Sequence, residues 1–164
     1  MKIFHLSFRR ALVLALMAAA AALSTLGVET ALGQHQHESA GGVHPLQLDN
    51  GKKWATDAPL RQGMTAVREA VAAEHQAIHA NKASPEQYKA LAAKIDEQIA
   101  YIVANCKLNP KADAQLHVIL TDIIGGSDLM KAGDQAEGRK GAIMVIGALQ
   151  KYPKYFDHPG WRAI

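Results

Sequence analysis

Asn109-Pro110 separates two long stretches of helical apolar spacing, and so short a reversal between two long helices forces them to run antiparallel. Asn109 suits the cap of the second helix and Pro110 its first position, where the missing backbone N–H costs nothing. Cys106 closes the first helix, and His117 lies about two turns into the second. Helical side chains lean toward their own N-terminus, so Cys106 points away from the turn and His117 back toward it. The hairpin can therefore bring the single cysteine and a histidine together. We expect it to form one wall of a metal or haem site at one end of a helical bundle.

The rest of the chain completes that bundle. From about Ala58 to Ala80, Leu60, Met64, Val67, Val71 and Ile78 recur three, four or seven apart, the spacing of one buried stripe, with Asp57 as cap and Asn81 as stop. Ser84-Pro85-Glu86-Gln87 is a capping box, after which Tyr88, Leu91, Ile95, Ile99, Ile102 and Cys106 follow at threes and fours. In the third helix Leu116, Leu120 and Ile123 point inward, with Ile119 and Ile124 widening the stripe. Gly125-Gly126 marks a kink or a close crossing of backbones. Lys131 to Gln135 reads as a polar loop. A fourth helix from about Ala136 to Tyr152 presents Ile143, Ile146, Leu149 and Tyr152, with Val145 beside them, and Pro153 ends or bends it. The predicted fold is all-α, an up-down-up-down four-helix bundle over residues 58–164.

The 164 residues, 49% hydrophobic and 20% charged, suit one domain with a real core, but much of the apolar content precedes it. Lys2, Arg9 and Arg10 lead into an apolar run from Ala11 to Leu23, and Ala31-Leu32-Gly33 offers small residues for cleavage before Gln34. Residues 1–33 are thus expected to be a signal peptide and the mature protein periplasmic. The run is short for a membrane span, so no membrane association is expected after cleavage. Of the 18 basic and 15 acidic residues, the signal removes three and one, leaving 15 against 14 and a net charge of +1. The basicity belongs to the signal, which takes away the argument for nucleic acid or an anionic membrane as partner.

Residues 34–57 form an aperiodic polar segment with Gly41-Gly42, expected to be a flexible arm, with Trp54 folding over the end of the bundle. Its histidines, His35, His37 and His44, make it a candidate for capturing metal. His35 becomes the second mature residue, and a free amine beside imidazoles suits Cu(II) or Zn(II). His75 and His79, one helical turn apart, have a chelating spacing too. Without a third ligand in view, a solvated helix face is the preferred reading there. The lone Cys106 has no internal disulfide partner, leaving a buried core thiol, an intermolecular link or a ligand.

In an alternating bundle the start of helix one, the end of helix two, the start of helix three and the end of helix four share a pole. Met64, Cys106, His117 and His158 all fall at it. A thioether, a thiol and two imidazoles suit copper, then zinc, or haem iron through a methionine and histidine pair. Against this, methionine on a helical stripe is ordinarily core filler. Asp113, one turn before His117, is placed to orient that imidazole, or to be an ordinary surface partner.

An exported four-helix chain with an inward methionine early in helix one and a histidine at the end of helix four, within Tyr155-Phe156-Asp157-His158, resembles the periplasmic b-type and c-prime cytochromes. The resemblance covers roughly Ala58 to Trp161 and is one of architecture and ligand order. It implies haem b held axially by Met64 and His158, and homodimerisation through helix faces as in the c-prime group. No Cys-x-x-Cys-His is present for covalent haem attachment.

Three functions follow. The first is a non-enzymatic, copper-class metal-binding protein using Cys106, His117, Met64 and His158, with His35 and His37 as a loading arm. The others are a b-type electron carrier and a metal-free structural or stress-adaptor bundle. The chain holds no G-x-S-x-G, H-E-x-x-H, P-loop or Rossmann fingerprint, so an enzyme is not expected.

Overall fold

A computed structural model describes residues 45–164. The signal peptide expectation and the histidines His35, His37 and His44 fall outside the described residues. Four helices, α1 (Ala58–His79), α2 (Pro85–Asn105), α3 (Pro110–Ala132) and α4 (Gln135–Tyr155), form the expected all-α four-helix bundle. Each helix starts on a side-chain cap. Asp57 accepts from the Leu60 amide, Ser84 and Gln87 complete the capping box, and Asn109 and Asp134 each accept from two amides of the following turn.

A parallel pairing too short to be more than a clasp closes one pole. In it β1 (Trp54–Ala55) joins β2 (Phe156–Asp157), with Trp54 opposite Phe156. The Thr56 hydroxyl adds a bond to the Asp157 carbonyl at 2.6 Å. The chain ahead of α1 is thus held against the chain after α4. The segment expected as a free arm through residue 57 is, from residue 45 onward, partly tied down. Trp54 is buried and donates its indole N–H to the Gln47 carbonyl at 2.7 Å, and the Gln47 amide reaches Gln115 of α3.

The core runs the length of the bundle through Leu60, Met64, Val67, Ile95, Ile102, Ile119, Ile123, Val145 and Tyr152. Small residues set the helix spacing. Gly63 of α1 abuts Ile102 of α2, and a Cβ on Gly126 of α3 would stand 2.6 Å from the Gly141 carbonyl oxygen of α4. The Gly125-Gly126 pair is therefore a close crossing, and α3 continues through it to Ala132. The crossing also sets which side of α4 faces inward. Gly138, Gly141, Ala142, Val145, Ala148, Leu149 and Tyr152 are buried, whereas Ile143 is 46% exposed and Ile146 half-buried. Ile143 and Ile124 therefore depart from the expected inward stripes, because the closest approach of α3 and α4 is made at Gly126 and Gly141, which turns other faces of the helices inward.

Pro153 does not end α4, which runs on to Tyr155. Proline removes a single donor in a last turn that is then capped by the Phe156 amide on the Tyr152 carbonyl. The Tyr152 and Phe156 rings stack with centroids 5.2 Å apart, bracing that turn. Among the described residues no helix is long and apolar enough to cross a membrane.

Candidate functional site

Asp57 organises the clasped pole. As the α1 cap it accepts from the Leu60 amide through Oδ1 at 2.9 Å, and through Oδ2 it accepts from the Lys107 amide at 2.6 Å. The Cys106 thiol at the end of α2 also bears on its protonation. Burial alone would raise its pKa, but the Lys107 and Leu60 amides, the thiol and the Arg61 charge together hold it below the usual carboxylate value.

Cys106 is the C-cap of α2 and is half-buried. Its thiol is pushed up to about 12, first by burial, then by the charge and hydrogen bond of Asp57, then by the charge of Asp113. At neutral pH it is a protonated thiol, a poor nucleophile whose ionisation is opposed by burial and by the negative charge of Asp57 and Asp113. Such surroundings penalise a bare thiolate. They favour a thiolate bound to a cation, because the cation balances the same carboxylates.

Asp113 links this thiol to His117. One of its carboxylate oxygens lies 3.5 Å from His117 Nδ1, which also sits 2.9 Å from the Asp113 carbonyl oxygen. The His117 side chain is 70% exposed and leaves Nε2 without a hydrogen-bond partner among the described residues. Spacing suggested the Asp113–His117 association, and the main-chain carbonyl makes its closer contact.

Met64 and His158 are placed differently from the other two. Met64 is fully buried in the core. Its neighbour Gly63 abuts Ile102, so Met64 stands about a turn deeper in the bundle than Cys106. His158 lies 3.1 Å from the Tyr152 hydroxyl through Nδ1 and 3.3 Å from the Thr65 hydroxyl through Nε2. It also packs edge-on against Trp161, with ring centroids 5.0 Å apart. Burial, then the charges of Arg61 and Arg68, lower its pKa and keep it neutral. With both ring nitrogens occupied, axial ligation by His158 requires it to give up Thr65 or Tyr152.

The pole thus brings together the ends of α1, α2 and α4, with Asp113 tying in α3. The four expected donors do not share a point. Among the described residues no three His, Cys, Asp or Glu side chains form a group of metal-binding size. Asp57, Arg61, Thr65 and Tyr152 belong to the site, although spacing marked them only as a cap, a core residue or nothing. Their shared pole was the available signal, since each sits at the start of α1 or the end of α4. No family model, curated protein or solved structure matches the chain.

Proposed function

We propose that the protein is a non-enzymatic, exported, copper-class metal-binding bundle whose anchoring donor is Cys106. The observation that carries this is Asp113, whose charge bears on the Cys106 thiol while its carboxylate sits 3.5 Å from His117. Two strong donor types, sulfur and imidazole, are joined through an anion that needs a cation to balance it. The exposed His117 swings toward the thiol at little cost, because only local contacts to Asp113 hold it. Met64 and His158 supply further donors after local rearrangement, and His35 and His37 deliver the ion from the N-terminal side. A metal displaces the thiol proton, so uptake weakens as pH falls.

Anaerobic titration of the mature protein with Cu(I) against a chromophoric chelator tests this. One equivalent is expected to bind, with affinity at least tenfold weaker in Cys106→Ser and weaker also in His117→Ala. Binding unchanged in Cys106→Ser, or lost only when His35 and His37 are replaced, overturns the assignment. A Soret band in protein purified from its native compartment, abolished in Met64→Ala, transfers the reading to haem b on Met64 and His158.

A further inference from the structure

Leading away from that pole, from Arg61 and Thr65 at its edge, the residues Arg61, Thr65, Arg68, Ala72, His75 and His79 of α1 recur alternately at four and three, which makes one continuous stripe. The chain end covers its first half, where His158 meets Thr65. Its second half is open. There a groove of about 350 Å³ runs between α1 and α4. Ile78, Ile143 and Ile146 line it, and Gly147 leaves space, with nothing within 4 Å of where a Cβ would stand. Its polar margin is His75, His79, Arg139 and Gln150. The guanidinium of Arg139 donates to the Ile78 carbonyl at 3.4 Å and, among the described residues, forms no ion pair.

The lining holds cationic and imidazole donors and no carboxylate, above a surface of isoleucines. At the stripe's covered end Arg68, only 9% exposed, has a single hydrogen bond, at 3.3 Å to the largely exposed Glu69. Within the groove, the Arg139 charge faces no carboxylate of the lining. An apolar concavity of this size with a few convergent polar groups is the usual form of a small-molecule site, and the sign of its charge selects an anion.

We infer that the α1–α4 groove binds a free amphiphilic carboxylate, a fatty acid of medium chain length. The alkyl chain lies along Ile143 and Ile146, filling the space over Gly147, and the carboxylate meets Arg139 and the histidine margin. The competing use of the margin is metal chelation by His75 and His79, whose rings stand 5.1 Å apart between centroids. That use explains neither the isoleucines nor Arg139.

The full mature chain is titrated with dodecanoate and, in parallel, with dodecanol below their aggregation limits, followed by calorimetry. Saturable binding of one dodecanoate per chain is expected, with dodecanol at least tenfold weaker. Gly147→Leu fills the groove where the backbone leaves room for a side chain, and leucine favours the helix over glycine, so the fold is retained. It is expected to weaken dodecanoate at least tenfold. Arg139→Gln is expected to narrow the difference between acid and alcohol. Equal affinity in Gly147→Leu overturns the inference, as does binding only to anionic vesicles. Cu(II) or Zn(II) uptake that depends on His75 and His79, without dodecanoate binding, also overturns it and assigns the margin to metal. Cys106→Ser is expected to leave dodecanoate binding unchanged, so this result stands or falls separately from the metal reading.

Discussion

Asp57 Oδ2 accepts the Lys107 amide hydrogen at 2.6 Å, so the residue that opens α1 also holds the chain just after α2. One carboxylate therefore caps one helix, fixes the exit of another and opposes ionisation of the thiol at that exit. Fold and chemistry meet at this residue, and they can be separated by changing its charge without its shape.

Asp57→Asn makes that separation. Asparagine is as good a cap as aspartate, so the loss in stability is expected to stay near 1 kcal/mol, mostly from weaker acceptance of the Lys107 amide. The thiol responds differently. Its value of about 12 rests on burial first and on Asp57 next. The variant is expected to ionise at lower pH and to be alkylated several-fold faster at a fixed pH near 9. An unchanged pH profile of alkylation would show that the Asp57 charge does not govern the thiol.

His158 predicts a pH dependence of stability. Burial, Arg61 and Arg68 depress its folded pKa below the ordinary 6.5, while Asp157 opposes them weakly. The unfolded chain therefore binds a proton more readily than the folded one. The stabilisation is fully present above pH 6.5 and is lost as pH falls from there through the folded value. Asp57 and Asp96 have lowered carboxylate values, so their losses come only below about pH 4. Denaturant midpoints measured between pH 7 and pH 5 should fall in the native protein and fall less in His158→Gln. Parallel slopes in the two proteins would contradict the buried neutral imidazole.

Helix ends were legible because caps are local. Asp57, Ser84-Pro85 and Asn109-Pro110 announce themselves within a few residues, and three of the four helices begin there. The inward face of α4 was not legible, since hydrophobicity ranks Ile143 above Gly138, Gly141 and Ala142, while the crossing with α3 selects for size. The shared pole followed from alternating helix direction. Which side chains converge there did not, because direction places a residue along the bundle and leaves open how far it is rotated about the helix axis. His117 and Met64 differ in that rotation, one exposed and one fully buried.

Glycine substitutions test the crossing by their sign. A Cβ on Gly126 would stand 2.6 Å from the Gly141 carbonyl oxygen and 2.7 Å from Val145 Cγ2, and a backbone oxygen gives way only if the helices separate. Gly126→Ala is expected to cost about 1–3 kcal/mol despite the better helix propensity of alanine. Gly147→Ala, with nothing within 4 Å, is expected to gain about 0.5–1 kcal/mol. Urea melts of the two variants decide it. Shifts of the same sign would mean that propensity, rather than contact, sets the spacing of α3 and α4.

Trp54 holds the start of the described chain to its end. It is 6% exposed, pairs with Phe156 across the clasp and donates to the Gln47 carbonyl. Trp54→Ala removes a large buried ring and is expected to cost about 3–5 kcal/mol, a drop in Tm of about 10 °C or more. A second consequence is local. Lys52 and Lys53 sit just ahead of the clasp in a turn closed by paired Asp49 and Lys52 backbone bonds. Once Trp54 no longer anchors this turn, trypsin is expected to cut after Lys52 or Lys53 well before it attacks the helices, at temperatures where circular dichroism still reports a folded bundle. Cleavage there at the native rate would mean that the backbone pairing of β1 with β2, and not the indole, fastens the segment.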